Sequence, residues 1–203
     1  MENPYGEIIS ERRDPNKDLV SAFKFAFVVL ALFAFFIILF TGIFAGVRVD
    51  GDSMMDTLHD GDYLFMNQCA EPDYGDIVVV HTGRLNADYV IKRVIALEGD
   101  EIYAKDGVLY RKCKGETDFS VVEEPYLYEE WLNVSLDKPN TFGSASSPIV
   151  IGEGEIFYMG DNRNVSVDCR AYGAQDLSEV SGVITGWSLK TKGFFTGLFR
   201  LFS

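Results

Sequence analysis

The chain has 203 residues, room for one domain of ordinary size beside a terminal appendage, and its 31 acidic against 18 basic residues give a net charge of −13. That balance lacks the basic stripe that nucleic-acid binding requires, so no nucleic acid is expected as a partner. Three cysteines, Cys69, Cys113 and Cys169, form none of the paired spacings of a zinc site, and an odd count leaves at least one thiol free within a monomer.

The first element in chain order is an apolar run. Lys24 and Arg48 bracket 23 uncharged residues, 25–47, and a helix of that length spans about 35 Å, enough to cross a bilayer. A cleaved signal peptide has a shorter apolar core and a small-residue cleavage site, so this Phe-rich run reads as a retained transmembrane helix. Arg12, Arg13, Lys17 and Lys24 precede it. The positive-inside bias makes residues 1–24 a cytoplasmic tail and puts residues 48–203 on the extracytoplasmic side of the cell membrane, a single-pass topology.

Beyond the anchor, short apolar runs separated by Gly, Asp and Asn predict a mostly β domain with strands at 63–66, 77–81, 89–96, 101–103, 108–110, 155–159 and 180–189. Residues 111–148 are richer in charge, Ser, Asn and Pro, and read as a small insertion between two parts of one core. At the C-terminus, Phe194, Phe195, Leu198, Phe199, Leu201 and Phe202 alternate with Lys190, Lys192 and Arg200. That composition suits either a membrane surface or a last helix packed on the domain.

Two residues stand out for chemistry. Ser53 lies six positions beyond the apolar run, in Gly51-Asp52-Ser53-Met54, where Gly51 permits a tight backbone approach and Met54 and Leu58 anchor the segment. Lys92 shares a strand face with Val90, Val94 and Ala96, so desolvation would push its pKa toward the range where an amine serves as a base. Arg93, on the other face, would reach solvent or a salt bridge. His59 and His81 have no companion box for a Ser/His/Asp triad, and the acidic residues Asp60, Asp62, Asp73 and Asp76 lack the alternation of a calcium loop.

Four segments, in order, resemble the boxes of bacterial type I signal peptidases. Gly51-Asp52-Ser53-Met54-Met55-Asp56-Thr57-Leu58 resembles the nucleophile box and Tyr74-Gly75-Asp76-Ile77-Val78-Val79 the strand that follows. Lys92-Arg93-Val94-Ile95-Ala96-Leu97-Glu98-Gly99-Asp100 resembles the lysine box, and the run from Gly160 through Asp161, Asn162 and Arg163 to Arg170 the final signature; Glu124-Pro125-Tyr126-Leu127 also fits. The resemblance implies a signal-peptidase-like β domain of antiparallel sheets behind one transmembrane helix, acting as a serine endopeptidase on signal peptides of exported preproteins, without metal or cofactor. Ser53 would be the nucleophile, Lys92 the general base, and Ser166 would orient the lysine amine, with Asp168 and Arg170 supporting them as an ion pair. Gly51, Asp52 and Met54 beside the nucleophile would contact substrate. Implied partners are exported preproteins and the lipid bilayer, with the secretion translocon as a further one.

Two positions depart from the common pattern. Asp56 stands where the family has Pro, which motivates an alternative: a catalytically impaired relative that binds or assembles exported chains. Cys169 replaces a usual Ser. Gly51 offers no hydroxyl to an oxyanion hole, which would then rest on backbone N–H groups, chiefly that of Ser53; this Gly-Asp-Ser arrangement resembles Gram-positive members.

Overall fold

The computed structural model describes residues 15–83 and 88–201 and divides the chain into two units, before and after Gly42. Arg12, Arg13 and Phe202 lie outside the described residues. Helix α1 (Pro15–Ile43) is apolar on every side and exposed along its length, with a mean hydropathy of 2.9 over its most apolar window. Such a helix has no polar face to turn to water, which is the composition a bilayer core accepts.

The apolar run outlasts the helix. Its last residues belong to strand β1 (Phe44–Arg48), which pairs antiparallel with β2 (Tyr63–Asn67), so the helix stops at Ile43 rather than continuing to residue 47. Apolar composition alone does not separate a helix end from a strand. Gly46 allows the pairing, because a Cβ there would overlap the Tyr63 ring.

The second unit holds two antiparallel sheets. The larger adds β3 (Ile77–His81), β4 (Tyr89–Leu97), β9 (Glu155–Met159), β10 (Gln175–Asp176) and β11 (Val180–Ile184), in the order β1-β2-β11-β3-β4-β9-β10. The smaller has the order β7-β6-β5-β8, from β5 (Glu101–Lys105), β6 (Val108–Lys112), β7 (Ser120–Val121) and β8 (Ile149–Val150). The chain is thus mostly β, as expected. The two-residue strands are too short to leave a period-2 signal in the sequence.

Strand β3 shows how the cores are divided. Val78 and Val80 enter one apolar cluster with Val94, Ile156 and Tyr158, while Ile77 and Val79 enter a second with Met54, Leu58 and Ile184. Successive side chains point to opposite faces, and both faces are covered, which is why this strand reads as a continuous apolar run. The loop between β1 and β2, which carries Ser53, supplies that second cover.

Two expectations are corrected here. Strand β11 ends at Ile184; residues 186–189 are not strand but helix α3 (Gly186–Lys190), which comes after the one-turn helix α2 (Cys169–Tyr172) in chain order, and the Ser188 hydroxyl donates to Thr185 O at 3.0 Å. On β4 the pairing with β9 slips between Val94 and Ala96, a bulge, so Val94, Ile95 and Ala96 all join one cluster and the strict alternation past Lys92 is lost. Helix α4 (Lys192–Phe199) packs on β2: Phe199 stacks on Tyr63 at 3.7 Å and Thr196 Oγ1 accepts from Tyr63 N at 2.9 Å. Its opposite side leaves Phe194 and Leu198 exposed.

Candidate active site

Ser53 sits in the loop joining β1 to β2. Gly51 takes a positive φ of 84° and its N–H donates to Asp60 Oδ1 at 3.0 Å, turning the chain so that Met54 and Leu58, 1% and 0% exposed, drop into the second apolar cluster. The loop is then gripped from across the fold. Asn162 N donates to Ser53 O and Asn162 Nδ2 to Asp52 O, both at 3.1 Å.

Lys92 reaches the same point from β4. Its cross-strand neighbour is the buried Val78, its own residue is 3% exposed, and its Nζ stands 2.8 Å from Ser53 Oγ while donating to Ile91 O at 2.9 Å. Burial pulls the Lys92 pKa from 10.5 down to about 8; the Asp168 charge opposes that fall most, followed by the Cys169 thiol, while Arg170 adds to it and Asp161 opposes it. A buried ammonium is penalised by lost hydration, so the neutral amine is accessible close to neutral pH.

The 160–170 loop supplies the surroundings. Asp168 accepts from Gly160 N at 2.9 Å and from Arg170 Nε at 2.8 Å, with neither charged side chain exposed. Arg170 also donates to the Ser166 and Arg163 carbonyls. Ser166 Oγ is buried, and among the described residues it has no hydrogen-bond partner, so the bond expected to Lys92 is not made in this arrangement. It nevertheless lies at the dyad, because a Cβ built on Gly160 would overlap both the Ser166 side chain and Ser53 O. Only glycine lets these segments approach so closely.

Other residues of the site were not singled out by sequence. Arg93 pairs with Asp161 through Nε at 2.8 Å and Nη2 at 2.6 Å, donates to Gly75 O at 2.7 Å, and Asp161 also accepts from Thr57 Oγ1. The salt-bridge alternative for Arg93 is thus the observed one, and it ties the nucleophile, lysine and final boxes together. Arg163 is paired with Glu124, both buried. The residues of each pair were visible within their boxes, but nothing local links them. Cys69, Cys113 and Cys169 are all free thiols, and burial pushes the Cys169 pKa up.

A groove of about 170 Å³ runs past the dyad, lined by 47–50 on one side and by the start of β4 on the other, with Ser53, Met54 and Lys92 in its wall. Met54 lines it; Gly51 and Asp52 lie outside the lining. Strand β4 pairs with β3 from Tyr89 onward but with β9 only from Arg93 onward, so its first residues present one unpaired edge toward this groove. Asp56 points away, exposed, with Oδ1 2.9 Å from His59 Nε2.

A serine hydroxyl against a buried amine, on an antiparallel β domain behind an apolar helix, has the layout of a serine hydrolase with a lysine partner. Comparison with known proteins gives the family. The model described as signal peptidase, peptidase S26, matches residues 19–187, and the chain belongs to that family of hydrolases. It is 34% identical over 182 residues to a signal peptidase I of Bacillus licheniformis, covering 86% of this chain and 91% of that protein. It is 32% identical over 174 residues to signal peptidase IB of Staphylococcus aureus, covering 79% and 82% respectively. A crystal structure of a signal peptidase I from Enterococcus faecalis matches at 31% identity over 57% of this chain and 98% of that one, with a TM-score of 0.44. The protein is accordingly a protease of signal-peptide processing.

Proposed function

We propose that the protein is a membrane-anchored signal peptidase in which Ser53 is the nucleophile and Lys92 its general base. The observation that carries this reading is the 2.8 Å approach of Lys92 Nζ to Ser53 Oγ at a site where the amine is buried. Neutral Lys92 takes the hydroxyl proton as Ser53 Oγ attacks the substrate carbonyl; an ester to Ser53 forms, the lysine returns the proton to the leaving amine, and it then activates the water that hydrolyses the ester. The Ser53 backbone N–H makes no hydrogen bond among the described residues and is available to the oxyanion, in keeping with a Gly51 that has no hydroxyl to offer. The Asp168–Arg170 pair supports the site through its charges on Lys92, and Ser166 lies beside Ser53 with its hydroxyl free to turn toward the amine.

The substrate is an exported preprotein whose signal segment lies extended in the groove and pairs with the free edge of β4. Its shallow walls favour small side chains by excluding large ones. Helix α1 spans the bilayer with the N-terminus cytoplasmic and the β domain extracytoplasmic, beside the translocon that delivers the chain. The test uses the full chain in detergent with a preprotein substrate. Ser53→Ala and Lys92→Ala each lower cleavage by at least about 10²-fold; normal cleavage by both variants would refute the dyad.

A further inference from the structure

The segment between β7 and β8 contributes nothing to the dyad itself, yet it sends three side chains under the 160–170 loop. Glu124 takes both Nη atoms of Arg163, with Oε2 3.1 Å from Nη1, and the two side chains are 7% and 2% exposed. The Tyr126 hydroxyl donates to Glu124 Oε1 at 2.7 Å, while its ring lies 3.9 Å from the Arg93 guanidinium carbon. Trp131 is buried facing two cations, Arg163 at 4.8 Å and Arg170 at 5.5 Å. Such contacts strengthen when desolvated.

From Arg163 the connections run inward. Its Nε donates to Gly160 O at 3.1 Å, and its own carbonyl accepts from Arg170 Nη1 at 2.9 Å. Gly160 and Arg170 are the two donors that fix Asp168. We infer that the 122–131 segment is a positioning strap for the catalytic lysine: Glu124, acting through Arg163, fixes the 160–170 loop and with it the placement of Asp168 opposite Lys92. The inference rests on the Ser53/Lys92 reading. Glu124 is a positioning residue, since it touches neither the dyad nor the groove.

The strap has a signature in pH dependence. The charged and titratable groups acting on Lys92 are Asp168, Cys169, Arg170 and Asp161, and those acting on Arg163 are Glu124, Tyr126 and Asp168. Without the Glu124 charge, Asp168 becomes the carboxylate nearest in effect to the stranded Arg163 guanidinium. Drawing Asp168 toward Arg163 removes the strongest field that favours the Lys92 ammonium, so the Lys92 pKa falls.

The experiment compares kcat and KM against pH for the full chain in detergent. For Glu124→Gln the acidic limb of kcat/KM moves down by about half a unit or more, and kcat falls about tenfold while KM stays within about twofold. Glu124→Asp, which keeps the charge but shortens its reach, gives a smaller shift of the same sign, and if Glu124→Gln does not fold, a measurable downward shift in Glu124→Asp supports the strap and an unmoved limb overturns it. Phe142→Leu, which lies outside the strap and loosens the packing of residue 142 on Phe157, lowers the melting temperature and leaves the limb in place. Lys92→Ala run alongside separates the two failures: activity retained there overturns the dyad, whereas an inactive Lys92→Ala with an unmoved limb for the Glu124 variants overturns the strap.

Discussion

Lys92 and the arginines in and around the 160–170 loop are cations near Ser53, and the fold treats the two kinds in opposite ways. On β4, Lys92 lies under apolar side chains with no carboxylate at ion-pair distance among the described residues, and its pKa falls to about 8. In and around the loop every arginine holds an acid: Arg93 with Asp161, Arg163 with Glu124, Arg170 with Asp168. For Arg163 burial again works against the charge, but Glu124 outweighs it and the pKa rises. Paired arginines are permanent staples; the buried Lys92 amine, with no such pair among the described residues, is the group free to exchange a proton.

If that contrast is right, mutation on the two sides has opposite signs. Asp168→Ala strands the buried Arg170 guanidinium and the Gly160 N–H together. Loss of one partner of a buried pair costs about 3–5 kcal/mol, so denaturant or thermal melting of this variant falls by on the order of 10 °C, and cleavage is lost with it. An Asp168→Ala protein as stable as wild type would mean the pair is not a staple.

Lys92→Met moves the other way. The native lysine releases its proton near 8 and the unfolded lysine near 10.5, so the wild type has its full stability above 10.5, loses it as pH falls toward 8, and stays at the lower level below that. The gap corresponds to on the order of 3 kcal/mol, which the Met variant does not lose. At pH 7 it melts above wild type though inactive, and the difference shrinks as the pH is raised to 10. A variant that melts lower, or a difference independent of pH, would place Lys92 among the staples.

The same contrast governs what the sequence could reveal. Ser53, Lys92, Ser166, Asp168 and Arg170 were legible because each lies in a short local pattern, and the continuous apolar runs at 77–81 and 155–159 marked two strands covered on both faces. The two long-range staples were not, since Arg93 and Asp161 are 68 residues apart and Arg163 and Glu124 are 39 apart; pairing across such distances leaves no periodicity. The helix end at Ile43 was hidden because apolar residues read alike in an anchor and in an edge strand. The bulge after Val94 was hidden for a similar reason: three consecutive apolar residues fit a buried run as well as an alternating one. Ser166 lies in its box next to Gly160 and Ser53, but the direction of its hydroxyl depends on packing against Gly160 that no motif records.

The smallest effect is expected where the sequence raised the largest doubt. Asp56 stands three residues after Ser53, where the resemblance would place a proline, and a carboxylate there would raise the local negative potential if it turned inward. It is exposed instead, and among the described residues it pairs with the exposed His59. An exposed pair contributes about 0–1 kcal/mol, and the Asp56 N–H donates to no acceptor among the described residues, so proline at this position removes no hydrogen bond. The loop is held by other contacts: Met54 and Leu58 in the apolar cluster, and Asn162 on the Asp52 and Ser53 carbonyls. Asp56→Pro therefore leaves kcat/KM within about twofold, a barrier change of about 0.4 kcal/mol. A tenfold rise in the variant would instead show that Asp56 restrains the nucleophile loop, and would revive the reading of this chain as a weakened member of its family.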